Sequence, residues 1–163
     1  MNQATVERFG PAGTRCRATS RSRGSRPVRL VALFGAAVLV LVSCVMNAHS
    51  IESGFLLQLE RQHRGIPILR LDEDLNVKAQ AHAEWMATTQ QLTHSNLSAG
   101  VPGGWRYLAE NVGRGYSIGS IHDALVLSSS HFAHMIDRRF SAFGVGAAKG
   151  TDGRYYVVQV FMG

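Results

Sequence analysis

From Leu30 to Met46 the chain carries no charged residue (LVALFGAAVLVLVSCVM), and this run divides its 163 residues into two parts with different physics. Ahead of it, residues 1–29 hold seven arginines and one acid, Glu7, which account for the whole formal charge of +6. Behind it the charges cancel, because residues 30–163 hold ten basic and ten acidic side chains. The basic excess therefore belongs to a leader. The remaining chain has neither the net positive charge nor the basic stripe that nucleic-acid binding requires.

Residues 1–29 are rich in Arg, Ser, Gly and Thr, cannot bury a core, and are predicted to be disordered. A basic stretch followed by an apolar run of this length reads as an export signal. The run is short for a spanning helix, which needs roughly 20 apolar residues. A signal anchor, with the arginines inside and the domain outside, is the alternative. Two exits are visible. Ala48-His49-Ser50 offers small residues one apart for a general signal peptidase, and Leu41-Val42-Ser43-Cys44 resembles a lipobox in which Cys44 becomes a lipid-bearing N-terminus. The organisation expected is thus a leader at 1–29, a signal peptide or membrane anchor at 30–50, and a folded domain at 51–163. The product is exported, either secreted or tethered to the outer face of the membrane. Any membrane contact is expected through the N-terminal segment alone.

Both cysteines, Cys16 and Cys44, precede that domain. Cysteine catalysis, a disulfide framework and a Cys-ligated zinc site are therefore ruled out within it, and its core alone must hold it together.

Periodicity supplies the elements. Phe55, Leu56 and Leu59 recur at helical spacing before Gly65-Ile66-Pro67 breaks the chain. Asp72 is a candidate N-cap for a helix over 73–91, with Leu75, Ala79, His82, Ala83 and Met86 along it. Residues 95–106 read as a loop, Tyr107–Val112 as a strand leading into Gly113-Arg114-Gly115, Ile118–Leu127 as a helix and His131–Ile136 as a short one. Phe143–Ala148 and Tyr155–Phe161 form a hairpin about Lys149-Gly150-Thr151-Asp152-Gly153. The class expected is α+β, with helices flanking a small antiparallel sheet.

Six histidines in residues 51–163, with no thiol beside them, are the main chemical clue. His63 and His82 lie on helices and read as structural. His94 opens the Gly/Ser loop after the long helix. Glu110 sits in Leu108-Ala109-Glu110-Asn111-Val112, where burial would demand partners. His131 and His134 stand three apart, so one helical face can carry both. Two imidazoles and a carboxylate can hold zinc with an open fourth position, or act as a proton-transfer pair. Gly115-Tyr116-Ser117-Ile118-Gly119 matches a nucleophile elbow. The domain is too small for the broad parallel sheet that motif serves, so Ser117 reads as a helix cap.

Six motifs in order resemble the CAP superfamily, also called SCP or pathogenesis-related type 1, in its short bacterial secreted form. They are Leu69-x-Leu71 with Leu75, Ala79-x-Ala81-x-Ala83-x-x-Met86, Leu92-Thr93-His94-Ser95, Ala109-Glu110-Asn111-Val112, Ser128-x-x-His131, and Gly144-Val145-Gly146 with Tyr156–Phe161. The resemblance covers nearly all of 53–163 and implies an α-β-α sandwich. It also implies a central cleft in which His94, Glu110 and His131 match the first histidine, the first glutamate and the second histidine. The second glutamate falls on Ser128. Leu125, Ala109 and Gln58 stand where tryptophan, glycine and asparagine are usual. His134 replaces an asparagine, as a substitute ligand or as a surface residue.

Three functions follow from the resemblance. The first is an exported binding module for a lipid, small molecule, protein or cell-envelope ligand. The second is an extracellular hydrolase using His94, Glu110 and His131, either with zinc or another divalent metal or by acid–base chemistry. The third is a buried polar network that only braces the core.

Overall fold

The computed structural model describes residues 47–163, and the leader and apolar run expected at 1–46 lie outside them. Eight elements follow in order: α1 (Ala48–His63), β1 (Arg70–Leu71), α2 (Glu73–Thr89), β2 (Leu108–Gly115), α3 (Ile118–Leu127), α4 (Ser129–Ile136), β3 (Ala142–Lys149) and β4 (Tyr155–Met162). Among the described residues no helix is long and apolar enough to cross a membrane.

The strands form one sheet in the order β1-β3-β4-β2. β4 pairs antiparallel with both β3 and β2, as the hairpin signal implied. β1 pairs parallel with β3, so the sheet is mixed rather than wholly antiparallel. The parallel pair is only two residues long, too short for a strand pattern to register in the sequence.

Helices cover both faces, as the expected sandwich requires. Along β3 and β4 alternate residues point to opposite faces. Phe143, Val145, Ala147, Val157 and Phe161 meet Leu57 of α1, Ile121 and Leu125 of α3 and Met135 of α4. On the other face Tyr156, Val158 and Val160 meet Leu75, Ala79, Ala83 and Met86 of α2. α2 lies close against β3 because Gly144 and Gly146 have no side chains. A Cβ on either would stand 2.1 Å from the Leu75 carbonyl carbon or 2.3 Å from that of Ala79. This packing is the physical content of the Gly144-Val145-Gly146 motif.

Among the described residues the outer edge of β3 beyond β1 has no strand partner, and side chains take that role. Asn76 Oδ1 accepts from Val145 N (2.9 Å), and Gln80 Oε1 accepts from Ala147 N (3.1 Å). Asn47 Nδ2 donates to Ala147 O (2.7 Å). Asn47 also caps α1, its Oδ1 accepting from Ser50 N (2.9 Å), and Ser50 is fully buried. The first turn of α1 thus lies upstream of residue 51, where the domain was expected to start.

Other boundaries moved for visible reasons. β2 runs on through Gly113, Arg114 and Gly115, beyond the Val112 end expected for the strand, because all three pair with Val157, Tyr156 and Tyr155 of β4. Gly113 is required there, since a Cβ would lie 2.4 Å from Ile121 of α3. α2 stops at Thr89 rather than 91, where Gln90 turns into the left-handed region (φ 56°). Ser117 caps α3 in a capping box with Ser120, as its exclusion as a nucleophile anticipated.

Candidate functional site

β2 is an edge strand, and two adjacent residues on it serve opposite faces. Val112 belongs to the α2 side of the core and Ala109 to the other, so Glu110 faces the α2 layer and Asn111 the α4 layer. The candidate site forms where these two faces meet at the strand.

On the α2 side, Glu110 is buried, its side chain 2% exposed. Its Oε1 accepts from His94 Nδ1 (2.8 Å) and Ser95 N (2.9 Å), and its Oε2 from the Ser95 hydroxyl (2.6 Å). A buried carboxylate with three donors is fully satisfied, which is the partner set its apolar neighbours demanded. The loop that delivers those donors is anchored by α2. His82 Nε2 donates to Thr93 O (2.8 Å), and Lys78 Nζ donates to Asn96 O (2.7 Å) and Ala99 O (2.9 Å). Anchored through Nδ1, His94 presents the rest of its ring outward, 59% exposed.

On the α4 side, Asn111 is the hub. Its Nδ2 donates to His131 O (3.1 Å) and Gln159 Oε1 (3.3 Å), and its Oδ1 accepts from His134 Nδ1 (2.9 Å). Gln159 continues the chain to Ser53 of α1 (3.4 Å). With Nδ1 donating, the free nitrogen of His134 is Nε2. Burial pushes the His134 imidazole below its ordinary value, the neighbouring His131 lowers it further, Asp137 opposes this, and His94 adds to the lowering. His134 is therefore a neutral imidazole at neutral pH, with a basic nitrogen available.

The structure joins two of the three candidates directly, His94 and Glu110. Facing them across a hollow of about 270 Å³ is His134, with Leu97, Leu108 and Ala109 completing the walls. His131 Nδ1 instead bonds the Ser128 hydroxyl (2.7 Å), and its ring is not part of that hollow. Of the two α4 histidines, His134 lines this hollow. Among the described residues no three His, Cys, Asp or Glu side chains are grouped so as to hold a metal ion. The set His94, Glu110 and His131 is not so grouped, because the His131 ring bonds Ser128 outside the hollow that His94 and Glu110 line.

Leu97, Leu108, Ala109 and His134 also border a second hollow, of about 570 Å³, lined further by Trp105, Tyr107, Arg139 and Phe140. Arg139 stacks over the Tyr107 ring (4.7 Å) and chelates Asp137 (2.6 and 3.0 Å). Sequence reasoning missed Ser95, Asn111, Gln159 and this aromatic wall. Gln159 did leave a signal, as a lone polar residue in an apolar strand, paired in register with Asn111.

A model of the CAP (cysteine-rich secretory protein) family matches residues 56–161. No curated protein matches the sequence. Among solved structures, an outer surface protein from Borrelia burgdorferi is similar at TM-score 0.61 and 17% identity, over 72% of this chain and 93% of that one. An extracellular SCP-domain protein from Bacillus anthracis is similar at 0.60 and 19%, over 72% of this chain and 41% of that one. A cysteine-rich secretory protein from Staphylococcus aureus is similar at 0.60 and 17%, over 88% and 43%. At these identities the likeness is one of fold.

Proposed function

Because the chain belongs to the cysteine-rich secretory protein (CAP) family, we propose that it is an exported binding module. Its cleft takes a ligand with an apolar body and hydrogen-bonding groups. The observation that carries this reading is the pairing of the two hollows at His134. One is walled by Trp105, Tyr107, Leu97 and Phe140, and the other by His94, Glu110 and His134. Binding sites for small molecules combine an apolar concavity with a few fixed polar groups in this way. The fixing is supplied by Glu110 and Asn111, which hold the two imidazoles by their Nδ1 atoms. Titration of the purified protein with lipids, sterols and cell-wall fragments tests the proposal. Saturable binding weakened by His134→Ala is expected, and no saturable binding to any class refutes it.

Export is part of the same proposal and rests on the arginine-rich leader and the apolar run. Lipid attachment at Cys44 or retention of an uncleaved anchor would tether the domain, and cleavage would release it. Fractionation of cells and medium, with mass analysis of the N-terminal peptide, separates these outcomes.

One observation favours a second reading, acid–base hydrolysis. A buried carboxylate orients an imidazole whose other nitrogen is open to solvent, the pairing a general base requires. The Ser95 hydroxyl bonds Glu110 rather than an imidazole, so the arrangement favours activating water over a serine nucleophile. Hydrolysis of peptides, esters or peptidoglycan that vanishes in folded His94→Ala is the expected result on this reading. Activity unchanged in that variant refutes it.

A further inference from the structure

The His94 ring separates two concave regions, and the far one plays no part in the cleft so far described. A hollow of about 320 Å³ is lined by His94, Ser95, His82 and Trp85. It shares His82 and Trp85 with a further hollow of about 550 Å³, over Val77 and Lys78 on the outer side of α2. Neighbouring hollows share residues all the way round the 93–101 loop. Leu108 and His134 join the first two, His94 and Ser95 the middle two, and His82 and Trp85 the last two.

Exposed aromatic rings stand at both ends of this trough. Trp85 is 44% exposed, Trp105 39% and Tyr107 42%. Two of the rings are held rigid from behind. Trp85 stacks on His82 (5.6 Å, interplanar angle 8°), whose own nitrogen is tied to Thr93 O. Tyr107 is backed by Arg139. Between the ends lie His94, Ser95, Asn96 and His134, groups that exchange hydrogen bonds without bringing a strong field. Of the basic side chains on the walls, Lys78 is committed to two loop carbonyls and Arg139 to Asp137, and among the described residues Arg106 alone has no side-chain partner.

We infer that the ligand is a linear, uncharged oligosaccharide that lies along this trough. Its rings pack on Tyr107 and Trp105 at one end and on Trp85 at the other, with its hydroxyl or amide groups facing the two histidines between. Flat, pre-positioned aromatic faces at a distance from one another suit a chain of ring units. A polyanion would want several free cations, where the walls offer Arg106 alone and carry Asp74 and Asp137, and an acyl chain would want an apolar enclosure where the trough has polar side chains. The inference rests on the binding reading and specifies its ligand class.

The test is calorimetric titration of the exported protein with β-1,4-linked N-acetylglucosamine as monomer, dimer, tetramer and hexamer. Affinity should rise about tenfold or more from monomer to hexamer. Trp85→Ala should cut hexamer affinity by about tenfold, a loss of one stacking contact. Trp85→Phe should restore most of it. Trp85 lies on the exposed face of α2, and unchanged thermal unfolding in the variant verifies that its fold is intact. Equal affinity for all lengths, or hexamer binding indifferent to Trp85, overturns the inference. If lipids or sterols saturate the protein while no saccharide does, this inference falls and the binding reading stands. If no ligand of any class binds, both fall.

Discussion

Asn47 is the most informative single residue to alter, because it joins the start of the domain to the open edge of its sheet. Its Oδ1 caps α1 by accepting from Ser50 N, and its Nδ2 donates to Ala147 O (2.7 Å) and Gln80 Oε1 (3.3 Å). Asn47→Ala removes the cap, at about 1 kcal/mol. It also removes the bridge to β3, at about 1 kcal/mol more for a partly buried bond. The sum, about 2 kcal/mol, is a sizeable part of the roughly 5–15 kcal/mol that holds a domain together. At about 4 °C per kcal/mol for a domain of this size, Tm should fall by roughly 8 °C. Asn47→Ser keeps a capping oxygen but is too short for the bridge, so it should lose about half as much. Differential scanning calorimetry of the exported protein reads both. A fall of under about 2 °C in Asn47→Ala would refute the claim that the domain begins upstream of residue 51. By the same reasoning, if a leader is removed the new N-terminus lies at or before Asn47, since cleavage after Ser50 would delete the cap and the first turn. Mass analysis of the exported protein checks this, and an N-terminus at Ile51 on a protein of full stability would contradict it.

Four further outcomes follow from the same structure. Glu110→Gln leaves an amide NH₂ among the His94 and Ser95 donors, and should cost about 2 kcal/mol in urea unfolding. Because burial lowers the folded pKa of His134 below 6.5, the unfolded chain takes up its proton first. Stability should therefore be full above that value and fall as pH drops through it, and His134→Gln should flatten the slope in thermal melts between about pH 7.5 and about pH 5. Gly144→Ala should cost about 3 kcal/mol or prevent folding, because its Cβ meets the α2 backbone. Gly103→Ala, with nothing within 4 Å, should leave Tm unchanged. In hexasaccharide titrations His134→Ala should weaken binding about tenfold, a loss of about 1.4 kcal/mol, and His131→Ala by less than about twofold.

The parts of the fold legible in the sequence were those with a long period or a local signature. α2 showed as a helix because its apolar residues recur for several turns behind an N-cap, and the β3–β4 hairpin because its turn is explicit. β1 was invisible because a parallel strand of two residues has no pattern of its own. The start of α1 was hidden for another reason. Ala48, His49 and Ser50 resemble a cleavage site, and only the buried contacts of Asn47 and Ser50 reveal them as the helix's first turn. In the cleft, the resemblance implied that His94 and Glu110 lie together. The rule that a buried carboxylate must be partnered required a partner for Glu110 without naming it.

The choice between His131 and His134 was not available to that kind of reading, and the reason is geometric. Three residues apart on α4, the two share a face, and spacing cannot say which one reaches the cleft. What decides is Asn111 on the neighbouring strand. Its amide donates to the backbone of His131 and accepts from the side chain of His134, so one histidine is fixed through its carbonyl and the other through its ring. The ring so fixed is placed opposite His94, while His131 turns to Ser128. Ser128, where the resemblance placed a second glutamate, meets His131 with a hydroxyl and adds no charge. Ser128 holds the His131 ring and Asn111 the His134 ring. Together they leave one carboxylate and two ring-anchored histidines in the cleft, an uncharged hydrogen-bonding surface on the His134 side that suits a neutral ligand better than a cation.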